Sequence, residues 1–146
     1  MKKIRVKVVK EDKVELPKYE TEGSAGLDVR ANIPEPIELK SLDRILLPTG
    51  LKIAIPDGYE VQVRPRSGMA LKYGITLLNT PGTIDSDYRG EVKLIIANLS
   101  KESYIINPNE RIGQLVLNKV EQIQWEIVEN LDDTERGAGG FGHTGK

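Results

Sequence analysis

The apolar residues of this chain fall in short runs, and a turn signal closes almost every one. Ile4, Val6 and Val8 alternate with Arg5 and Lys7, a period of two that reads as a half-buried strand with a basic wet face. Gly26–Ala31 alternates in the same way. Pro34 and Pro36 interrupt the next stretch, so Ile33–Leu39 is at most an edge strand. Arg44–Leu47, Leu51–Ile55, Tyr59–Val63, Ser103–Ile106, Arg111–Leu117 and Ile123–Val128 continue the series. Pro48-Thr49-Gly50, Pro56-Asp57-Gly58 and Pro108-Asn109 read as turns between them. Only Ser67–Tyr73 reads as a helix, with Ser67 as N-cap, good helix formers behind it and Gly74 as the stop. Short strands spaced by turn signals predict an all-β sandwich or barrel.

A chain of 146 residues with no internal repeat and no linker is one domain on length, and it buries a core without staples. The absence of cysteine excludes disulfides and thiolate metal sites. The basic start, Met1–Lys7, has no apolar region behind it and does not read as a secretory signal. No run approaches the roughly eighteen apolar residues of a membrane span. The expected location is cytoplasmic, or the host-cell interior for a viral chain, with no membrane partner. A formal net charge of −1, with both signs interspersed, argues against nucleic acid as a partner. A phosphate ligand then needs a local cluster of donors or a metal.

Three stretches carry candidate chemistry. Thr80–Gly90 joins the apolar runs Gly74–Asn79 and Glu91–Ala97. Pro81-Gly82 favours a turn, with Gly82 tolerating φ > 0, and the whole reads as a long β-hairpin. Its connection is longer than hairpins need, and long loops in compact domains are often functional. The tip carries Asp85, a carboxylate suited to act as a base, and Tyr88, a ring suited to lie on a ligand; a solvated turn is the plainer reading. Arg64-Pro65-Arg66-Ser67-Gly68 enters the helix. Arg66, the Ser67 hydroxyl and the Gly68 N–H form a candidate anion site there. A capping Ser67 beside a solvated Arg66 fits the same residues. The glycine-dense tail from Arg136 has the composition of a disordered terminus. Arg136 nonetheless offers a planar fork for phosphate oxygens, Phe141 is the only phenylalanine in the chain, and the glycines let backbone N–H groups approach a ligand. Gly140–Lys146 fits G-x-x-x-x-G-K but lacks the following Ser or Thr and the helix of a P-loop.

Together these stretches resemble the trimeric all-β deoxyuridine triphosphatases, the dUTPases. The matching motifs are Ala25–Ala31, Arg64–Ala70, Asn79–Glu91, Arg111–Leu115 and the tail from Arg136, in family order and spacing. The resemblance implies a jelly-roll-like β domain over residues 1–135 and a flexible arm over 136–146 that closes over the active site. It implies a homotrimer with active sites shared between subunits. It implies hydrolysis of dUTP to dUMP and pyrophosphate with Mg²⁺ on the triphosphate, which limits dUTP and supplies dUMP for dTMP synthesis. By the same resemblance Asp85 is the general base for the attacking water, and Tyr88 packs on the deoxyribose and excludes a 2′-hydroxyl. Asn79 and the backbone at Gly82 read uracil, and Thr83 and Gly142 are further substrate contacts. Arg66, Ser67, Gly68 and Gln114 hold phosphates, and Asp28 touches the waters of the metal. Arg136 reaches the terminal phosphate and Phe141 stacks on uracil. One departure stands out: His143 occupies a place where the family tail usually has a small hydroxyl residue. The rival functions are a dCTP deaminase on a similar β fold and a non-catalytic nucleotide sensor. The Asp85–Tyr88 arrangement disfavours the first, and the retention of a base disfavours the second.

Overall fold

The computed structural model describes residues 2–145; Met1 and Lys146, the outer ends of the basic start and of the arm, lie outside the described residues. The strands are β1 (Lys7–Lys10), β2 (Leu27–Arg30), β3 (Ile37–Leu39), β4 (Arg44–Ala54), β5 (Tyr59–Arg64), β6 (Ile75–Leu77), β7 (Gly82–Ile84), β8 (Glu91–Asn98), β9 (Tyr104–Ile106) and β10 (Arg111–Lys119). The one helix among the described residues, α1, spans Ser67–Tyr73. Two four-stranded antiparallel sheets, ordered β1-β4-β8-β6 and β2-β10-β5-β7, are joined by a two-stranded sheet of β3 and β9. The inward residues of the sheets form one core: Leu47, Ile53, Val92, Leu94 and Ile96 from the first, Val29, Val61, Val63, Ile112 and Leu115 from the second, Leu39 and Ile106 from the third. Gly113 belongs to that contact, since a Cβ there would run into the Leu94 side chain and lie 3.2 Å from the Arg64 carbonyl oxygen. The all-β expectation, with one short helix, is what the chain adopts.

Buried Asn98 fastens the small sheet to the first large one. Its amide donates to the carbonyls of Leu39 at 2.9 Å and Glu102 at 2.7 Å, and its Oδ1 accepts from the Ser100 N–H and hydroxyl. A buried amide is tolerable because each polar atom has a partner.

Several sequence expectations are corrected. Pro48-Thr49-Gly50 is no turn but a bulge inside the continuous strand β4, where the register against β8 shifts between Pro48 and Lys52. Three bonds hold it. The Thr49 hydroxyl donates to the Val92 carbonyl at 2.6 Å, the Gly50 N–H to a Glu91 carboxylate oxygen at 3.0 Å, and the Glu11 N–H to the Gly50 carbonyl at 3.0 Å. Gly50 takes φ 71°, which a bulge glycine permits. Ile123–Val128 forms no strand in the isolated chain, and Ile123, Trp125, Ile127 and Val128 are exposed. The first strand starts at Lys7 rather than Ile4, and Val8 and Val9 are exposed. Arg66, not Ser67, is the N-cap of α1, and no side-chain hydrogen bond closes that end; Gly74 does terminate the helix in the left-handed region at φ 65°.

The hairpin around Thr80–Gly90 is real, since β6 and β8 pair antiparallel. Its connection, however, is not one free loop. Gly82–Ile84 crosses to the other sheet and pairs with β5, Gly82 opposite Val63 and Ile84 opposite Val61. Gly82 is therefore a buried strand residue outside the left-handed region, not a turn glycine. A Cβ at Gly82 would press on the Asn79 amide nitrogen at 3.3 Å and the Val63 Cβ at 3.4 Å.

Candidate active site

The candidate residues form three groups. The first surrounds the hairpin tip. Asn79, Gly82, Thr83, Asp85 and Tyr88 line one cavity of about 270 Å³, with apolar walls from Val63, Leu77, Ile84 and Ile95. Asp85 follows directly on β7 and is exposed, so its carboxylate is solvated. Its carbonyl accepts the Tyr88 N–H at 3.2 Å, which folds residues 85–88 into a tight turn. The Tyr88 hydroxyl donates to the Glu91 carbonyl at 3.0 Å. The Arg89 guanidinium donates to the carbonyls of Ser86 at 2.6 Å and Tyr88 at 3.0 Å. Both bonds come from one nitrogen, Nη1, which ties the Arg89 side chain to its own turn.

The second group lies on the outer face of the sheet β2-β10-β5-β7. Asp28, Gln114 and Arg64 stand abreast on adjacent strands, and directly opposed residues share a face. Strict alternation along β10 would turn Arg111 and Gln114 to opposite faces. A bulge prevents that: Arg111 opposes Arg30 and Gly113 opposes Val29, so Ile112 is the extra residue and both polar side chains keep the face of Asp28. Arg66 Nε lies 3.4 Å and an Arg111 guanidinium nitrogen 3.2 Å from the same Asp28 oxygen, Oδ2. Arg111 also meets Glu20 at 3.5 Å, and its carbonyl accepts from Arg66 at 3.2 Å. The Gln114 amide donates to the Pro65 carbonyl at 2.9 Å, just ahead of Arg66, Ser67 and Gly68. Gly26 leaves room for that amide, since a Cβ there would strike its oxygen. Arg111 is the residue sequence reasoning underused: it sits in the stretch that contains Gln114, yet its role as a second cation on Asp28 depends on the bulge.

Beside this cluster, Tyr104 donates a short hydrogen bond to the Glu110 carboxylate, whose other oxygen accepts the Asn107 N–H at 2.9 Å. Burial, and then Glu110, hold the Tyr104 phenol well above its ordinary range, while Arg66 nearby pulls the other way. The Tyr73 ring packs on Tyr104 with centroids 5.2 Å apart, so the end of α1 is braced against the turn that delivers Arg111. Nothing in the sequence marked this pair.

The third group is the arm. Arg136, Phe141, Gly142 and His143 line a hollow of their own, Arg136 Nε donates to the Gly139 carbonyl at 2.9 Å, and Phe141 is fully exposed. The chain does not bring the arm onto either of the other groups. Nor does it bring those two together. Ile84 lies opposite Val61, three residues along β5 from Arg64, and Asp28 lies three strands away from β7. At strand spacings of about 4.8 Å and rises of about 3.3 Å, Asp85 and Asp28 are roughly 20 Å apart in one chain.

No group of three or more His, Cys, Asp or Glu residues is placed to hold a metal among the described residues. At Asp28 both arginines engage Oδ2, and no hydrogen bond among the described residues takes Oδ1. No helix is long and apolar enough to cross a membrane among the described residues.

Comparison with known proteins bears on the whole chain. The dUTPase family model matches residues 12–145. A deoxyuridine 5'-triphosphate nucleotidohydrolase of Fusobacterium nucleatum is 74% identical over 146 residues, covering 100% of both chains. One of Finegoldia magna is 54% identical over 142 residues, 97% of this chain and 99% of its own. Among solved structures, Staphylococcus bacteriophage 80alpha dUTPase with dUPNHPP superposes with a TM-score of 0.82 at 23% identity, covering 97% of this chain and 99% of that one. A mutant dUTPase of phage phi11 of S. aureus, with a structural Mg(II) ion, gives 0.77 at 21% identity, covering 87% and 98%. At those identities the two structures speak for the fold alone, whereas the family model and the full-length relatives speak for descent: this chain belongs to the dUTPase family.

Proposed function

We propose that the protein hydrolyses dUTP to dUMP and pyrophosphate, as a homotrimer whose subunits complete one another's sites, in the cytoplasm where the nucleotide is made. The observation that carries this reading is the cavity at the hairpin tip, where a carboxylate, an aromatic ring and an amide converge. Asn79 and the Gly82 backbone recognise the uracil edge, with Thr83 alongside. Tyr88 lies on the deoxyribose and leaves no room for a 2′-hydroxyl. Asp85 takes a proton from water as the water oxygen bonds to the α-phosphorus. The bond from that phosphorus to the bridging oxygen breaks, and pyrophosphate leaves. A placed base of this kind is worth on the order of 10²- to 10⁴-fold.

Charge on the triphosphate is met by the second group. Arg66, the Ser67 hydroxyl, the Gly68 N–H and Gln114 bind phosphate oxygens, while Arg111 shares Asp28 with Arg66 and keeps Arg66 aimed. Asp28 would touch the water shell of a Mg²⁺ ion held with the triphosphate, and such an ion would supply further charge neutralisation. The arm, residues 136–146, closes the site: Arg136 reaches the terminal phosphate, and Phe141 and Gly142 cover the uracil.

Three features favour a shared site. Base and phosphate cluster lie far apart within one chain, the arm reaches neither, and an exposed apolar stretch runs from Ile123 to Leu131. Joining the base of one copy to the arginines of another supplies what one chain lacks. Pyrophosphate release from dUTP, with dCTP, dTTP and UTP as controls, tests the activity. Turnover is expected with dUTP alone, and ammonia released from dCTP would defeat the reading. Asp85→Asn is expected to remove turnover, a loss of at least about 10²-fold, while nucleotide binding by calorimetry persists.

A further inference from the structure

Gly90 sits where the backbone does not demand glycine. Its φ lies outside the left-handed region, so φ sets no barrier to an L-residue. Space is what a side chain would lack. A Cβ at this position would stand 2.5 Å from the Tyr88 Cζ, 3.0 Å from its Cε2 and closer still to its hydroxyl oxygen. The Tyr88 ring folds back over Gly90 and is tethered there by its bond to the Glu91 carbonyl.

The backbone of the same turn is held independently of the ring. The Tyr88 N–H bonds to the Asp85 carbonyl, and Arg89 bridges the carbonyls of Ser86 and Tyr88. A methyl group at residue 90 would therefore displace the far end of a flexible side chain and leave the turn intact. Fold and ring position come apart at this one site.

We propose that Gly90 is a specificity-determining residue, its missing side chain leaving the space that sets where the Tyr88 ring meets the sugar. This rests on the reading that Tyr88 excludes the 2′-hydroxyl. With the ring pushed out of its seat, the hydroxyl leaves Glu91, the face presented to the sugar shifts, and room opens beside C2′.

The experiment compares wild type, Gly90→Ala, Tyr88→Ala and the double variant, reading kcat/KM for dUTP and UTP and the melting temperature. Gly90→Ala is expected to lower the dUTP/UTP ratio about tenfold. Its melting temperature should stay within about 2 °C, since no backbone–backbone bond is lost and the bond from the Tyr88 hydroxyl is an exposed one. In the Tyr88→Ala background, alanine at residue 90 should change nothing further, because its collision partner is gone. A ratio lost in Tyr88→Ala but kept in Gly90→Ala overturns the proposal alone. So does an effect of the alanine that persists undiminished without the ring, which would be a backbone effect. Wild-type selectivity in Tyr88→Ala overturns the sugar reading and this one with it.

Discussion

Tyr104 and Glu110 carry a consequence that one atom tests. The Tyr104 hydroxyl ties β9 to the turn ahead of Arg111, and its ring braces Tyr73 at the end of the helix whose first residues are Ser67 and Gly68. Burial and the Glu110 carboxylate both disfavour the phenolate, so the folded pKa is raised above the unfolded value. A raised pKa contributes stability that is fully present below the unfolded value, about pH 10, and is lost as pH rises through the folded one. Tyr104→Phe deletes the hydroxyl and keeps the ring. It is expected to cost about 1 kcal/mol at neutral pH, the order for a partly exposed bond to a carboxylate. Denaturant unfolding at pH 7 and near pH 11 checks it. The gap between wild type and variant should narrow at the higher pH, and a gap that widens would mean the carboxylate favours the ionised phenol. The pair lies six residues apart across a turn, with no periodicity to advertise it, and only the fold brings its ring to α1.

At the scale of elements, what the sequence made legible follows from where local and tertiary forces agree. Tyr59–Val63 alternates because one face of β5 is buried, and Pro56-Asp57-Gly58 turns because Gly58 takes φ 80°. Pro48-Thr49-Gly50 carries equally strong local turn chemistry and still stays in a strand, because Val92 and Glu91 on β8 satisfy the displaced polar groups. The bulge at Ile112 was hidden for the same reason: it exists in the pairing of two strands, not in either one. Ile123–Val128 has the pattern of a strand, and no strand among the described residues takes it. The tail was legible in composition and remains separate in structure: the Arg136 guanidinium bonds within the arm, and Phe141 is fully exposed. Deleting residues 136–146 should therefore leave the melting temperature nearly unchanged, since no core residue is removed. Turnover should fall by roughly 10²-fold, the order expected when a closing and orienting segment is lost. Calorimetric melting beside steady-state hydrolysis decides it, and full activity in the truncated protein would return the arm to an idle terminus.

For the whole molecule, the proposed pairing of Asp85 with Arg66 in one site makes a demand that a single chain does not meet. The motifs were readable one by one, but whether they meet in one subunit is a property of topology: β7 lies at one edge of its sheet and β2 at the other. Exposed Val8, Val9, Trp125 and Ile127 add apolar surface of the kind that oligomers cover. The arrangement has a quantitative consequence if trimers form with cyclic symmetry. On the proposed roles, Asp85→Asn removes the base from every site and Arg66→Ala removes the phosphate contact from every site, so each variant alone should be nearly inactive. When the two are unfolded together in equal amounts and refolded, subunits assort at random. A site built from the Asp85 of one copy and the Arg66 of its neighbour then receives both intact residues about one time in four, so roughly a quarter of wild-type activity should return. Were both residues supplied to each site by the same chain, no mixture would regain activity, because no chain present carries the two. Refolding each variant alone controls for reversion, and size-exclusion chromatography confirms that the mixed species has the mass of the wild-type assembly. The recovered fraction reads the geometry of the site directly: it depends on which chains supply the two residues, not on how strongly either one acts.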